Sequence, residues 1–199
     1  MNFTPKQLTQ FSAYILLVLA LTQVVYTALY VAKLDVPRQF LWGSEGLLFT
    51  VLIAFAGAAM VQLKENQLVW SAIAFSAVLN VIQVSVGITL FGSFSEAASE
   101  VEGLKPALSG VVALSFMIYY AAKLLLGMAA LGMGSALMSE GNKALGGLTA
   151  LVGGIAVLAN AILITFGRDG FLPSSVAGAT GVLATLLLAI CLIVAARKS

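Results

Sequence analysis

The chain has 199 residues, 61% of them hydrophobic and only 9% charged, with a net charge of +2 and a mean hydropathy of +1.06. A soluble domain carries about 25% charged residues, so this chain finds its solvent in lipid. No nucleic-acid partner is expected, because no basic cluster stands outside Arg197-Lys198. The absence of histidine and the single cysteine, Cys191, exclude His-ligated haem or zinc, thiolate clusters and an internal disulfide.

Apolar runs fill residues 11–32, 46–63, 69–92, 108–133, 144–167 and 175–196. Each is close to the ~20 residues that cross a hydrocarbon layer of ~30 Å as an α-helix. The expected fold is all-α: a polytopic membrane protein, one domain over 1–199, built as a bundle of six transmembrane helices with short loops. The first run is longer than the ~7–15 residues of a signal-peptide core, and no small-x-small site follows it, so it reads as a retained helix. It carries a polar stripe of Gln23, Tyr26, Thr27 and Tyr30. In the connection that follows, Pro37 fits a turn and Trp42 fits the headgroup level. Glu45 then stands where the second run begins, and a carboxylate there is favoured by the free amides and the helix dipole. The other reading makes Glu45, with Tyr119, a mouth residue above a polar interior. Ala54 and Ala58 give the second run a small-residue face.

Trp70 marks the start of the third run, where Ala72, Ser76, Asn80, Gln83 and Gly87 share one helical face. Residues 93–107 form the longest polar connection. Ser93 and Glu96 have capping-box spacing, and Gly103 and Pro106 supply a stop, which predicts a short acidic surface helix or a solvated linker. The fourth run contains Lys123, with Tyr119 and Tyr120 one turn away on the same side. In the fifth, Gly146, Ala150 and Gly154 give small-xxx-small spacing, while Thr149, Gly153, Ala156 and Asn160 form a polar face. Ala177, Gly181 and Thr185 repeat the small spacing in the sixth, where Cys191 reads as a small core or lipid-facing residue.

Lys123 is the only charge well inside any run. A charge at the bilayer centre costs about 2.5–3.5 kcal/mol and usually faces the bundle interior. Buried amides must also find partners. The economical arrangement is one shared region lined by Gln23, Asn80, Gln83, Tyr120, Lys123 and Asn160, serving as a ligand or ion path. The plainer arrangement uses the amides as interhelical glue, worth about 0.6 kcal/mol each, and lets the lysine snorkel. Glu45 is expected to lie too far from Lys123 along the bilayer normal for a direct bond.

There is no phosphate-binding Gly-rich loop, no His/Asp pair for a nucleophilic serine, and no close acid pair inside a run. No enzymatic role and no cofactor are therefore expected. The leading expectation is a small transport or channel-like protein; the alternative is a non-transporting accessory or scaffold subunit of a membrane complex. The expected partners are the bilayer and a homo-oligomeric copy or membrane-complex subunit. Lys6, Lys64, Lys143, Arg197 and Lys198 fall on the side of the termini, against Lys33, Arg38, Lys105 and Arg168 on the other. This slight excess places both termini in the cytoplasm, in a plasma or inner membrane. A water-filled cavity reaching Lys123 would favour transport, and a dry interior the scaffold.

Overall fold

The first helix opens on a capping box. The Gln7 N–H donates to Thr4 Oγ1 at 3.3 Å, the Thr4 N–H donates to Gln7 Oε1 at 2.9 Å, and Pro5 takes the first turn, where a missing N–H costs nothing. The computed structural model describes residues 3–34, 37–167 and 170–198. Its elements are α1 (Pro5–Val31), α2 (Arg38–Gln62), α3 (Gln67–Glu100), α4 (Lys105–Ser139), α5 (Lys143–Phe166) and α6 (Ser174–Lys198), with one 3-10 turn at Glu102–Leu104. The fold is thus all-helical, and 6 helices are long and apolar enough to cross a membrane. Arg168, which enters the charge comparison, lies outside the described residues.

Two helix ends close in the same way. After α4, the Gly141 and Asn142 amides donate back to the Met138 and Leu137 carbonyls, with Gly141 at φ +96°. After α1, the Lys33 and Leu34 amides donate to Tyr30 and Leu29 in the same pattern, with Lys33 at φ +56°. Both are Schellman ends, and glycine suits the left-handed residue because it has no Cβ to clash.

Three expected boundaries move. Residues 93–100 are not a linker or a separate surface helix but the continuation of α3, which runs unbroken to Glu100. The stretch SFSEAASE contains neither Gly nor Pro, and its alanines and glutamates sustain a helix. Ser93 accordingly caps nothing; its hydroxyl donates back to the Thr89 carbonyl at 3.5 Å. Pro106 does not stop a helix but sits in the first turn of α4. The third correction is α2, which begins at Arg38 rather than near residue 46. With 34 and 35 residues, α3 and α4 each reach about 50 Å at ~1.5 Å per residue, well beyond an apolar layer of ~30 Å.

The helices close into a ring in the order α1, α2, α3, α4, α6, and back to α1. Helix α5 stands outside the ring, against α4 and α6. The packed core lies toward the end that holds both termini, where Leu16 and Leu19 of α1 meet Phe49, Ile73, Leu126 and Leu188. Beyond Ala20 no residue of α1 is buried. Cys191 is buried as expected, its Sγ 3.1 Å from Thr149 Oγ1.

The tightest contact is between α4 and α5. A Cβ added at Gly134 would sit 2.5 Å from Ala150 N and 2.7 Å from Gly146 O; one at Gly153 would sit 2.5 Å from Leu131 N and 2.7 Å from Gly127 O. Four glycines, spaced by seven on each helix, therefore bring main chain against main chain. The expected Gly146–Ala150–Gly154 face is corrected at its last member. Gly154 meets nothing within 4 Å, and Gly153 takes the contact. On α2, Ala54 is exposed and the buried alanines are Ala56 and Ala59.

Candidate functional site

Lys123 lies near the middle of α4 and has 0% of its surface exposed. Three helices accommodate it. Its stem runs along α6 at Gly181, where an added Cβ would meet Lys123 Cδ at 2.9 Å, Cγ at 3.0 Å and Cβ at 3.1 Å. Its Nζ donates to Gln23 Oε1 of α1 at 2.6 Å. The same Nζ stands 5.3 Å from the centroid of the Tyr119 ring, one turn away on α4, within the range of a cation–π contact. Tyr119 in turn faces α6 at Gly178, its Oη 3.7 Å from where a Cβ would be. Two glycines of α6 thus leave room for two long side chains of α4. The sequence marks Gly181 only as a packing residue; its role as a slot for the lysine needs the partner helix to be known.

The neighbour of Gln23 holds the opposite charge. Thr22 Oγ1 donates to Glu45 Oε1 of α2 at 2.8 Å and lies 2.9 Å from the Leu19 carbonyl of its own helix. Glu45 is 6% exposed. Consecutive residues of α1 therefore hold an acid from α2 and an amine from α4. Glu45 and Lys123 interact through space, but they form no ion pair. The single ion pair among the described residues is Lys105–Glu102 at the surface. The cap expected at Glu45 is corrected: Pro37 is the N-cap of α2, and Glu45 lies two turns inside. The early start of α2 carries the carboxylate about 10 Å into the helix. Glu45 bonds Thr22, next in sequence to the Gln23 that receives Lys123, and Tyr119 packs on Lys123 itself.

The region expected to gather six residues divides. Gln23 and Lys123 meet directly. Asn80 donates to the Ser76 carbonyl at 2.9 Å and lies 3.2 Å from Ser76 Oγ, which itself donates to the Ala122 carbonyl at 2.8 Å. Gln83 Nε2 donates to Ser115 Oγ at 3.2 Å. Gln83 therefore fastens α3 to α4 directly and Asn80 only through Ser76, beside the lysine but not on it. Asn160 donates to the Ala156 carbonyl of its own helix at 2.8 Å, and its buried Oδ1 has no hydrogen-bond partner among the described residues. Tyr120 is buried with Ala159, Leu163 and Ala177, its ring 5.9 Å from Phe116. None of the four amide residues is exposed: Asn80 and Asn160 are buried, and Gln23 and Gln83 are half-buried. Thr22, Ser76 and Ser115 complete these contacts; Ser76 lies on the polar face read from the third run, and Thr22 and Ser115 carry no signal beyond being hydroxyls in apolar runs.

The slot at Gly181 gives a direct expectation. Gly181→Ala crowds the lysine stem against α6, because the added methyl would stand 2.9 Å from Cδ, 3.0 Å from Cγ and 3.1 Å from Cβ, and Cβ cannot turn away. The expected cost is about 1–3 kcal/mol, seen as earlier thermal unfolding in detergent. In a Lys123→Ala background the same change meets no stem and costs little. Equal costs in the two backgrounds would mean that the lysine does not lie in this slot.

Comparison of the chain with protein-family models, curated proteins and solved structures gives no match.

Proposed function

We propose that the chain is a multi-pass integral membrane protein that passes a small polar solute or ion, and that Glu45, Thr22, Gln23 and Lys123 form the place where it pauses. The observation that supports this is the separation of two buried opposite charges by the neutral side chains of α1. A directly paired carboxylate and ammonium satisfy one another. Here the ammonium has three donors and spends one on Gln23, and the carboxylate has about four acceptor positions and spends one on Thr22. Buried charges with unspent hydrogen bonds are costly unless something shares them. A molecule carrying both a donor and an acceptor can bridge them. Helix α1 is the natural gate, since its backbone packs only against α2 and α6 and none of its residues beyond Ala20 is buried. Both termini lie on the cytoplasmic side of a plasma or inner membrane in this reading.

The test uses purified protein in liposomes, with light scattering following volume recovery after a step in glycine, betaine, glycerol or urea. Proteoliposomes are expected to recover faster than empty ones with at least one of these probes. Lys123→Met is expected to remain folded and lose the increment. No increment with any probe, and no difference in the variant, would favour the accessory-subunit reading. That reading rests on one observation of its own: Lys123 has no exposed surface, and its stem is closed in by Gly181.

Topology is checked separately. Reporters fused after residue 199 and within the 101–104 turn are expected to report opposite compartments, the first cytoplasmic. Equal signals would overturn the span count, and reversed signals the orientation.

A further inference from the structure

At the end of the bundle away from the termini, α2 and α3 part around a groove of about 540 Å³. That volume falls within the ~300–1,000 Å³ of small-molecule sites. Its floor is aromatic. The Trp42 ring lies on Gly87, so close that an added Cβ would meet Trp42 Cζ3 at 2.6 Å. Phe91 meets the indole edge-on at 5.9 Å, and Tyr26 lies 5.7 Å away on the other side. Gly87 is thus required by the close approach of the indole, which fixes the floor in place.

The rim carries both signs of charge, and the Arg38 side chain also bonds the Tyr26 hydroxyl. Arg38 stands in the first turn of α2 and Glu96 near the end of α3; both line the groove and both are exposed. No ion pair joins them. Ser95 and Ser99 add hydroxyls beside Glu96. A guanidinium matches phosphate oxygens, and a carboxylate flanked by hydroxyls matches a primary ammonium that has three protons to donate. Trp42 is also the residue type that marks the level where an apolar layer meets water. A ligand that suits this groove carries a phosphate, an ammonium a few atoms away, and an apolar body to lie on the indole.

We infer that the α2–α3 groove binds a phospholipid with a zwitterionic phosphoethanolamine headgroup, its phosphate on Arg38, its ammonium on Glu96 and its glycerol end over Trp42. The inference rests on the chain being an integral membrane protein. A trimethylammonium headgroup offers Glu96 no proton, and a glycerol headgroup offers no cation, so the site discriminates among phospholipids by chemistry and not by size. The lipid would close the groove against water and tie the outer ends of α2 and α3 together.

The experiment measures thermal unfolding of the full chain, purified and delipidated in detergent, after adding phosphatidylethanolamine, phosphatidylcholine or phosphatidylglycerol of matched acyl chains, or free phosphoethanolamine. Phosphatidylethanolamine is expected to raise the melting temperature by about 5 °C more than the other two at near-saturating lipid. Arg38→Gln should abolish the rise from every phospholipid. Glu96→Gln should leave a rise that no longer distinguishes ethanolamine from choline. Equal rises from all three lipids with the unmodified chain, or a full rise retained by Arg38→Gln, would overturn the inference. So would a full rise from free phosphoethanolamine, which would make the ligand a soluble solute. Release of the chain from membranes without detergent would refute the membrane reading itself, before any lipid is added.

Discussion

Gly134→Val is expected to lower the melting temperature of the protein in detergent by about 2–12 °C. The added Cβ alone would come within 2.5 Å of Ala150 N and 2.7 Å of Gly146 O. These are main-chain atoms, so no side-chain rotation relieves the overlap and α5 must move away bodily. Overpacking a well-fitted core costs about 1–3 kcal/mol or more, and each kcal/mol is worth about 2–4 °C in a chain of this length. Gly153→Val is expected to do the same from the other helix, against Leu131 N and Gly127 O. The control has the opposite sign. Gly154 has nothing within 4 Å of its Cβ position, and an alanine there is expected to stabilise by about 0.5–1 kcal/mol, the ordinary helical penalty of glycine. Tolerance of valine at position 134 would mean that α4 and α5 do not cross through these glycines.

The second large effect joins Lys123 and Glu45. Lys123→Met strips Glu45 of the one cation that acts on it among the described residues and leaves the carboxylate its Thr22 bond. Gln23 loses the donor to its Oε1 but carries no charge to satisfy. The variant is expected to fold but to lose about 1–3 kcal/mol, the cost of an uncompensated buried polar group. Glu45→Gln is expected to cost a similar amount by leaving the ammonium unbalanced. The two changes together should cost less than their sum by about 0.5–3 kcal/mol, since methionine beside glutamine leaves no charge to satisfy. Denaturation of the four proteins gives this coupling directly. Strict additivity would show that the two groups ignore each other, and the bridging role proposed for a solute would fall with them.

The helix count and order were readable from sequence because a spanning helix is written in one dimension, as an apolar run of the right length. Helix ends were less so. Residues 93–100 are polar, and polarity reports where water is; it does not report where hydrogen bonding stops. Glu45 was misplaced for the related reason that Trp42-Gly43-Ser44 resembles a connection, while the backbone there is already helical from Arg38. Lys123 was legible as a lone charge in an apolar run. Its partner was not, since Gln23, Asn80, Gln83 and Asn160 offer the same amide, and the choice depends on which helix lies across the ring. The choice between Gly153 and Gly154 was closed in the same way. Adjacent residues point about 100° apart on a helix, and only the facing pair Gly127 and Gly134 decides which one is needed.

The glycine seam also bears on how the molecule comes into being. Side chains that lock on contact surrender rotamer freedom, often about 0.5–2 kcal/mol each, whereas glycine has none to surrender. The turn between α4 and α5 spans only Glu140, Gly141 and Asn142, so bringing the two helices together closes a very short stretch of chain. Two joints of the ring join helices that are not neighbours in sequence: α4 and α1 both wait for α6, and Gln23 waits for Lys123, 100 residues later. The α4–α5 hairpin can therefore form on its own as soon as its second helix has been synthesised. The ring must close afterwards, when α6 arrives to seat α1 and cover the lysine.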